Sequence, residues 1–185
     1  MGFYIILAIA ALLIVGVILL YNRLVQKRQL VENGWSDIDV QLKRRADLIP
    51  SLVSVVEGYT NHEKGTFDDI VSRRNEALAA QDQTELRAEK ESVVSRDISN
   101  LIALAENYPD LKANEQFLKL QEELSGTEDE ISYARRFFNG AVRDYNTAIE
   151  SVPANLIAGV FGFHPRAYFE AEQSDRALPE LKLGS

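Results

Sequence analysis

The chain has 185 residues, with 20 Lys and Arg against 28 Asp and Glu, a formal net charge of −8 and no cysteine. That length suits one ordinary domain. The composition excludes a disulfide scaffold, a thiolate zinc site, an iron–sulfur cluster and a cysteine nucleophile, and the negative balance excludes a phosphate-tracking mode, so no nucleic-acid partner is expected.

From Phe3 to Tyr21 the sequence reads FYIILAIAALLIVGVILLY, nineteen consecutive positions without a charge. A helix needs about 20 such residues to cross roughly 30 Å of hydrocarbon. Tyr4 and Tyr21 would stand about 26 Å apart along it, where amphipathic rings mark both interfaces. A cleaved signal peptide calls for a basic start, a shorter apolar core and a small-residue cleavage site, none of which is present, so the segment predicts a retained anchor. Ile6 stands where a myristoylation signal needs Ser or Thr. Arg23, Lys27 and Arg28 follow the run directly, and nothing basic precedes it. By the positive-inside rule the N-terminus is expected outside and the bulk of the chain in the cytoplasm. Setting those three aside leaves 17 basic against 28 acidic residues, about −11 in net charge. A basic collar suited to anionic headgroups thus precedes an acidic body that they repel.

Beyond the run, Val31, Trp35, Ile38, Leu42, Ile49, Leu52, Val56 and Tyr59 form a stripe with steps of three, four and seven. No loop signal intervenes, so one helix is predicted from about residue 3 to 59, with Pro50 expected to kink it or strand a carbonyl and Gly58, Asn61 and Gly65 to stop it. Trp35, about 21 Å past Tyr21, is a core or interface residue rather than a membrane-belt one. A second helix is predicted from Thr66 to Ala80 with Phe67, Val71, Arg74 and Leu78 on one face. A third runs from Thr84 to Asn107 through Val94, Ile98, Leu101, Ala105 and Tyr108, ended by Pro109. The fourth, about residues 113 to 151, carries Phe117, Leu120, Leu124, Thr127, Ile131, Ala134, Phe138, Ala141, Tyr145, Ala148 and Val152 in heptad register. Gly126, Gly140 and a Thr127–Glu130 capping box weaken it without breaking the register, so a continuous helix is favoured. No segment alternates with period two.

The first and fourth helices, roughly 54 Å beyond the span and 58 Å long, match in length. The predicted fold is all-α: an N-terminal transmembrane helix continuous with a long antiparallel four-helix, coiled-coil-like bundle. Its expected divisions are an anchor over residues 1–22, a bundle over 23–152, and an apolar, aromatic segment with a polar tail over 153–185. With four helices in alternating directions, the segment after the fourth returns toward the bilayer; were the second and third one helix, it would lie at the far tip.

No catalytic or cofactor pattern is present. His62 and His164 lack the Glu three residues earlier that builds di-iron sites in bundles, and there is no glycine-rich phosphate loop or nucleophile elbow, so neither metal nor cofactor nor enzyme activity is expected. Arg45, Arg74 and Asp97 fall on or beside apolar stripes. One reading has the arginine stems covering apolar surface; another is a buried Arg–Asp network with Asp37, Asp47 and Asp144 as partners. The odd part is the tail, where Leu156, Phe161, Phe163, Pro165, Arg166, Tyr168 and Phe169 make an apolar, aromatic patch too short to cross a bilayer. It packs on its own bundle, meets another subunit, or dips into lipid. The stretch from Ala171 to Ser185 reads as polar and loose.

Four segments carry a resemblance: VQLKRRADLIPSLV at 40–53, YPDLKANEQFLKLQEELSGTED at 108–129, ARRFFNGAVRDYN at 134–146 and NLIAGVFGFHPRAYFEAE at 155–172. Together, in this order, they resemble the LemA family of bacterial membrane proteins over nearly the whole chain; His164 and Ala167 stand where Lys and Pro are commoner. The resemblance implies one N-terminal span in the bacterial cytoplasmic (inner) membrane with a cytoplasmic helical bundle. It supplies no reaction; relatives are linked to membrane organisation, including magnetosome formation, and to neighbouring membrane proteases. The expected function is a non-enzymatic, homo-oligomeric membrane scaffold that shapes or organises the bilayer. The rival is an adaptor presenting its bundle or tail to another membrane protein, such as a protease or signalling partner.

Overall fold

The computed structural model describes residues 1–60, 64–81 and 83–170. Asn61, expected in the stop after the first helix, His62 and the stretch from Ala171 to Ser185 lie outside the described residues. Six helices follow in order: α1 (Gly2–Glu57), α2 (Lys64–Ala79), α3 (Thr84–Ala105), α4 (Pro109–Lys112), α5 (Glu115–Glu150) and α6 (Ala154–Phe161). There is no strand among the described residues, and the chain is an all-helical bundle with a long apolar N-terminal helix. It divides into two compact units, one of residues 1–41 and 129–168, the other of 42–128 together with Phe169 and Glu170.

In the first unit α1 passes Tyr21 without a break, and its apolar run is long enough to cross a membrane, with none of its most apolar stretch buried. Beyond that run, Leu24, Val31 and Ile38 of α1 are buried, as are Ile131, Phe138, Val142, Tyr145 and Ile149 of α5. The two segments run antiparallel. Trp35 tilts against Phe138 with ring centroids 5.6 Å apart. Gly34 allows this approach, because a Cβ there would stand 3.1 Å from the Phe138 Cα.

The second unit is a four-helix bundle in the expected alternating order. Its core draws Ile49, Leu52 and Val56 from α1, Phe67, Ile70 and Ala77 from α2, Val94, Ile98 and Leu101 from α3, Leu111 from α4, and Phe117, Leu120 and Leu124 from α5. The stripe on α2 is rotated from the expected one, with Ile70 and Ala77 buried rather than Val71 and Leu78. Gly58 ends α1 as predicted, but Gly65 lies inside the first turn of α2 instead of in a stop. Asn114 starts α5, its side-chain oxygen accepting from the Phe117 N–H at 3.0 Å in an N-cap bond. Thr127 forms no capping box; its hydroxyl donates to the Glu123 carbonyl at 2.7 Å, one turn back in an unbroken helix.

Pro50 strands a carbonyl as expected. A proline lacks the N–H that would reach the residue four back, which is Ala46. The Ala46 carbonyl accepts instead from Arg74 Nε at 2.9 Å, while Arg74 Nη2 lies 3.1 Å from Asp47. The chain thus keeps α1 running to Glu57 with the orphaned acceptor satisfied from α2.

Arg45 is buried as well, but its partners are glutamates. Its Nη2 meets Glu91 at 2.6 Å, and its Nη1 donates to Ser95 at 2.6 Å and also to Glu128. Glu91 lies 2.7 Å from Arg87 Nε, off the N–H axis, and Arg87 Nη1 donates to the Leu78 carbonyl. Asp97 takes both of its bonds from Arg73. The polar network is therefore real, but cross-helix Glu partners replace the expected Asp ones at Arg45.

On the outer surface of α2 and α3, Lys90 Nζ sits 2.7 Å from Glu76. Its hydrogen bond and charge hold the Glu76 carboxyl below its ordinary value of 4.5. A carboxyl depressed in the folded state stabilises the fold above its unfolded value and loses that contribution as pH falls through the folded one. The Lys90→Gln variant should return the Glu76 titration toward 4.5, and side-chain NMR across pH 2 to 6 checks this.

Candidate membrane-interface site

The site is built where α5 ends and the chain turns back beside the end of the apolar run. After Pro153, residues 154–161 form a short helix with two faces. Ala154, Ile157 and Ala158 are buried. Leu156, Val160 and Phe161 are 70%, 80% and 53% exposed, and Val152 ahead of them 82%. Gly162 ends the helix at φ 70, the left-handed conformation that suits glycine, and lets the Phe163 N–H donate back to the Ala158 carbonyl at 3.0 Å.

That reversal carries two rings onto Tyr21. The Phe161 and Phe163 centroids lie 5.0 and 5.6 Å from it, edge to face, and the Arg28 guanidinium caps Phe163 at 5.2 Å. The next residues are tied to α5: the Asn146 side chain accepts from the Arg166 N–H and donates to the Arg166 carbonyl, both at 2.9 Å. Arg166 Nη2 lies 3.8 Å from Glu32. Burial pushes the Tyr145 phenol beside this clamp upward, partly offset by Arg166 and Arg28.

On α1 and the end of α5, a cleft of about 610 Å³ opens, lined by Leu20, Arg23, Leu24 and Lys27 on one side and by residues from Arg143 to Ala154 on the other. A second, shallower groove of about 400 Å³ lies between Val40 and Tyr133, with Phe137 beside it. These three side chains are 58%, 61% and 51% exposed. Among the described residues no group of His, Asp or Glu could hold a metal ion.

The expected patch is split by this geometry. Leu156 faces outward, Phe161 rests an edge on Tyr21 while 53% exposed, Phe163 is buried against Tyr21, and Pro165 and Arg166 lie exposed in an irregular segment. Tyr168 is 38% exposed, while Phe169 is buried and belongs to the second unit. Sequence reasoning missed Val152 and Val160 on the outer face, the Asn146 clamp, and the cleft. The signal for the cleft was present in the spacing of Leu20, Leu24 and Lys27, which puts them on one face of a helix.

The geometry defines a class: a helical-bundle protein with, among the described residues, one segment long and apolar enough to span a bilayer, and a short amphipathic helix beside the end of that segment. Residues 34–183 match the sequence profile of the LemA family, and the chain belongs to that family. It is 27% identical over 155 residues to Protein LemA of Metamycoplasma hominis, covering 84% of this chain and 71% of that one. It is 22% identical over 175 residues to Magnetosome protein MamQ 2 of Paramagnetospirillum magneticum, covering 81% and 64%. To Magnetosome protein MamQ of Magnetospirillum gryphiswaldense it is 23% identical over 174 residues, covering 80% and 64%. The chain thus spans just under two thirds of the magnetosome proteins it matches. None of these names is that of an enzyme.

Proposed function

We propose that the chain is a non-enzymatic, membrane-anchored helical scaffold that self-associates and organises the bilayer around it. The observation that carries this reading is the outward apolar face of α6, set beside Tyr21 where the apolar run stops. With α1 crossing the inner membrane and the basic collar on the cytoplasmic side, Leu156, Val160 and Phe161 meet the acyl boundary of one leaflet. Each such side chain taken out of water is worth about 1.5–3 kcal/mol. The span and α6 then attach one chain to the bilayer at two points, and α6 adds volume to a single leaflet, as a shaping element requires.

Self-association falls to the face of Val40, Tyr133 and Phe137, which stay more than half exposed in one chain although Arg136 caps the Tyr133 ring. In lipid nanodiscs the chain is expected to sediment as an oligomer, and the Tyr133→Ser/Phe137→Ser variant as a monomer with unchanged helix content. A wild-type chain that sediments only as a monomer removes the scaffold and leaves the adaptor reading, in which the same face meets a different membrane protein.

A further inference from the structure

We infer that the cleft between α1 and the end of α5 is a binding site for the headgroup of an anionic glycerophospholipid. The inference rests on the membrane placement above but concerns different residues and makes a separate chemical claim. Arg23 and Lys27 lie one turn apart on α1, and Arg143 faces them from α5. Neither Arg23 nor Lys27 has a carboxylate partner among the described residues. Arg143 has only its neighbour Asp144, at 3.4 Å, with both side chains mostly exposed. Three cations against one carboxylate converge on one concavity. The Thr147 hydroxyl lines the same wall and can donate to a phosphodiester oxygen; the Ser151 hydroxyl beside it donates to the Thr147 carbonyl at 2.7 Å and is left as an acceptor for a glycerol hydroxyl.

The rest of the cleft decides the source of the phosphate. Leu24, fully buried, is its floor; Leu20, in the last turn of the apolar run, stands one turn beyond it, and Val152, Pro153 and Ala154 close the opposite side. A soluble phosphate ester would leave these groups facing water. A lipid places its phosphate among the cations while its acyl chains run along Leu20 and Val17, the continuous apolar surface of α1. Guanidinium and ammonium groups within the headgroup layer are worth about 1 kcal/mol each toward anionic lipid, a factor of about five in preference.

The test uses the full chain in mild detergent, with bound lipid counted by native mass spectrometry. Phosphatidylglycerol is expected to be retained over phosphatidylcholine, and the preference should fall about fivefold for each of Lys27→Gln and Arg143→Gln. A Lys119→Gln control, at a residue that does not line the cleft, should leave it unchanged. Equal retention of the two lipids, or a preference that survives the double variant Lys27→Gln/Arg143→Gln, overturns the site. Displacement of the lipid by glycerol phosphate at similar concentration also overturns it, in favour of a soluble phosphate ester. A Leu156→Trp chain in a Trp35→Phe background separates the two claims. Quenching of that tryptophan by brominated acyl chains upholds the membrane placement when the headgroup preference fails, and its absence overturns the placement.

Discussion

Replacing Glu91 by leucine is expected to destabilise the second unit more than any other single change in its polar network, by about 3–5 kcal/mol. Glu91 is 4% exposed and stands between two guanidiniums, those of Arg45 and Arg87, each 1% exposed. Arginine cannot shed its proton in a protein. Without Glu91, Arg87 loses the carboxylate 2.7 Å from its Nε, and Arg45 keeps Ser95, the half-exposed Glu128 and the backbone carbonyl of residue 91. Removing Arg45 instead leaves Glu91 with Arg87 and returns Glu128 to water. Arg45→Met should therefore cost less, about 1–3 kcal/mol. The triple variant Arg45→Met/Arg87→Met/Glu91→Leu should recover most of the loss, because a whole buried charge set can be exchanged for apolar volume. Thermal unfolding of the full chain in one detergent gives this ordering. A Glu91→Leu melt within a degree of wild type would show that the network contributes nothing.

Phe138→Ala is expected to loosen the first unit by a similar amount, about 3–5 kcal/mol. The ring is 3% exposed and rests on Trp35, and its backbone meets Gly34 at a distance no larger residue tolerates without displacement. The vacated volume cannot close by collapse, because the two helix backbones are already in contact at Gly34. Trp35 is the chain's one tryptophan. Its emission should shift to the red in the variant at temperatures where wild type is folded, and the melt should move down with it. An unchanged emission maximum would place the tryptophan's packing elsewhere.

The four long helices were legible from the sequence because each is punctuated by Pro, Gly or a polar cluster and carries a periodic stripe. The heptad reading of α5 went wrong in a regular way. Its expected positions hold through Phe138, but Val142 and Ile149 are then buried in place of Ala141 and Ala148, and Val152 ends up 82% exposed. A straight helix drifts about 20° per heptad from a strict seven-residue repeat, so several heptads displace the stripe by one residue. The α6 helix escaped because its length is close to two turns and Gly159 sits inside it, leaving no period to read. The partners of Arg45 escaped for a different reason. Spacing along one helix places a charge on a face, but which of several glutamates on two other helices meets it depends on their rotation and height. The aromatic tail was visible as a patch, yet only folding buries Phe163 against Tyr21, leaves Phe161 half covered there, and turns Leu156 outward.

The exchange at Pro50 ties two distant positions into one genetic unit. Arg74→Met in the wild-type background leaves the Ala46 carbonyl without its donor, whereas in a Pro50→Ala background the backbone amide restored at that position would serve the same oxygen and the change at Arg74 would be nearly silent. Mutational tolerance at residue 74 is thus conditional on residue 50, and substitution scans run one site at a time would assign to the arginine alone a sensitivity that belongs to the pair.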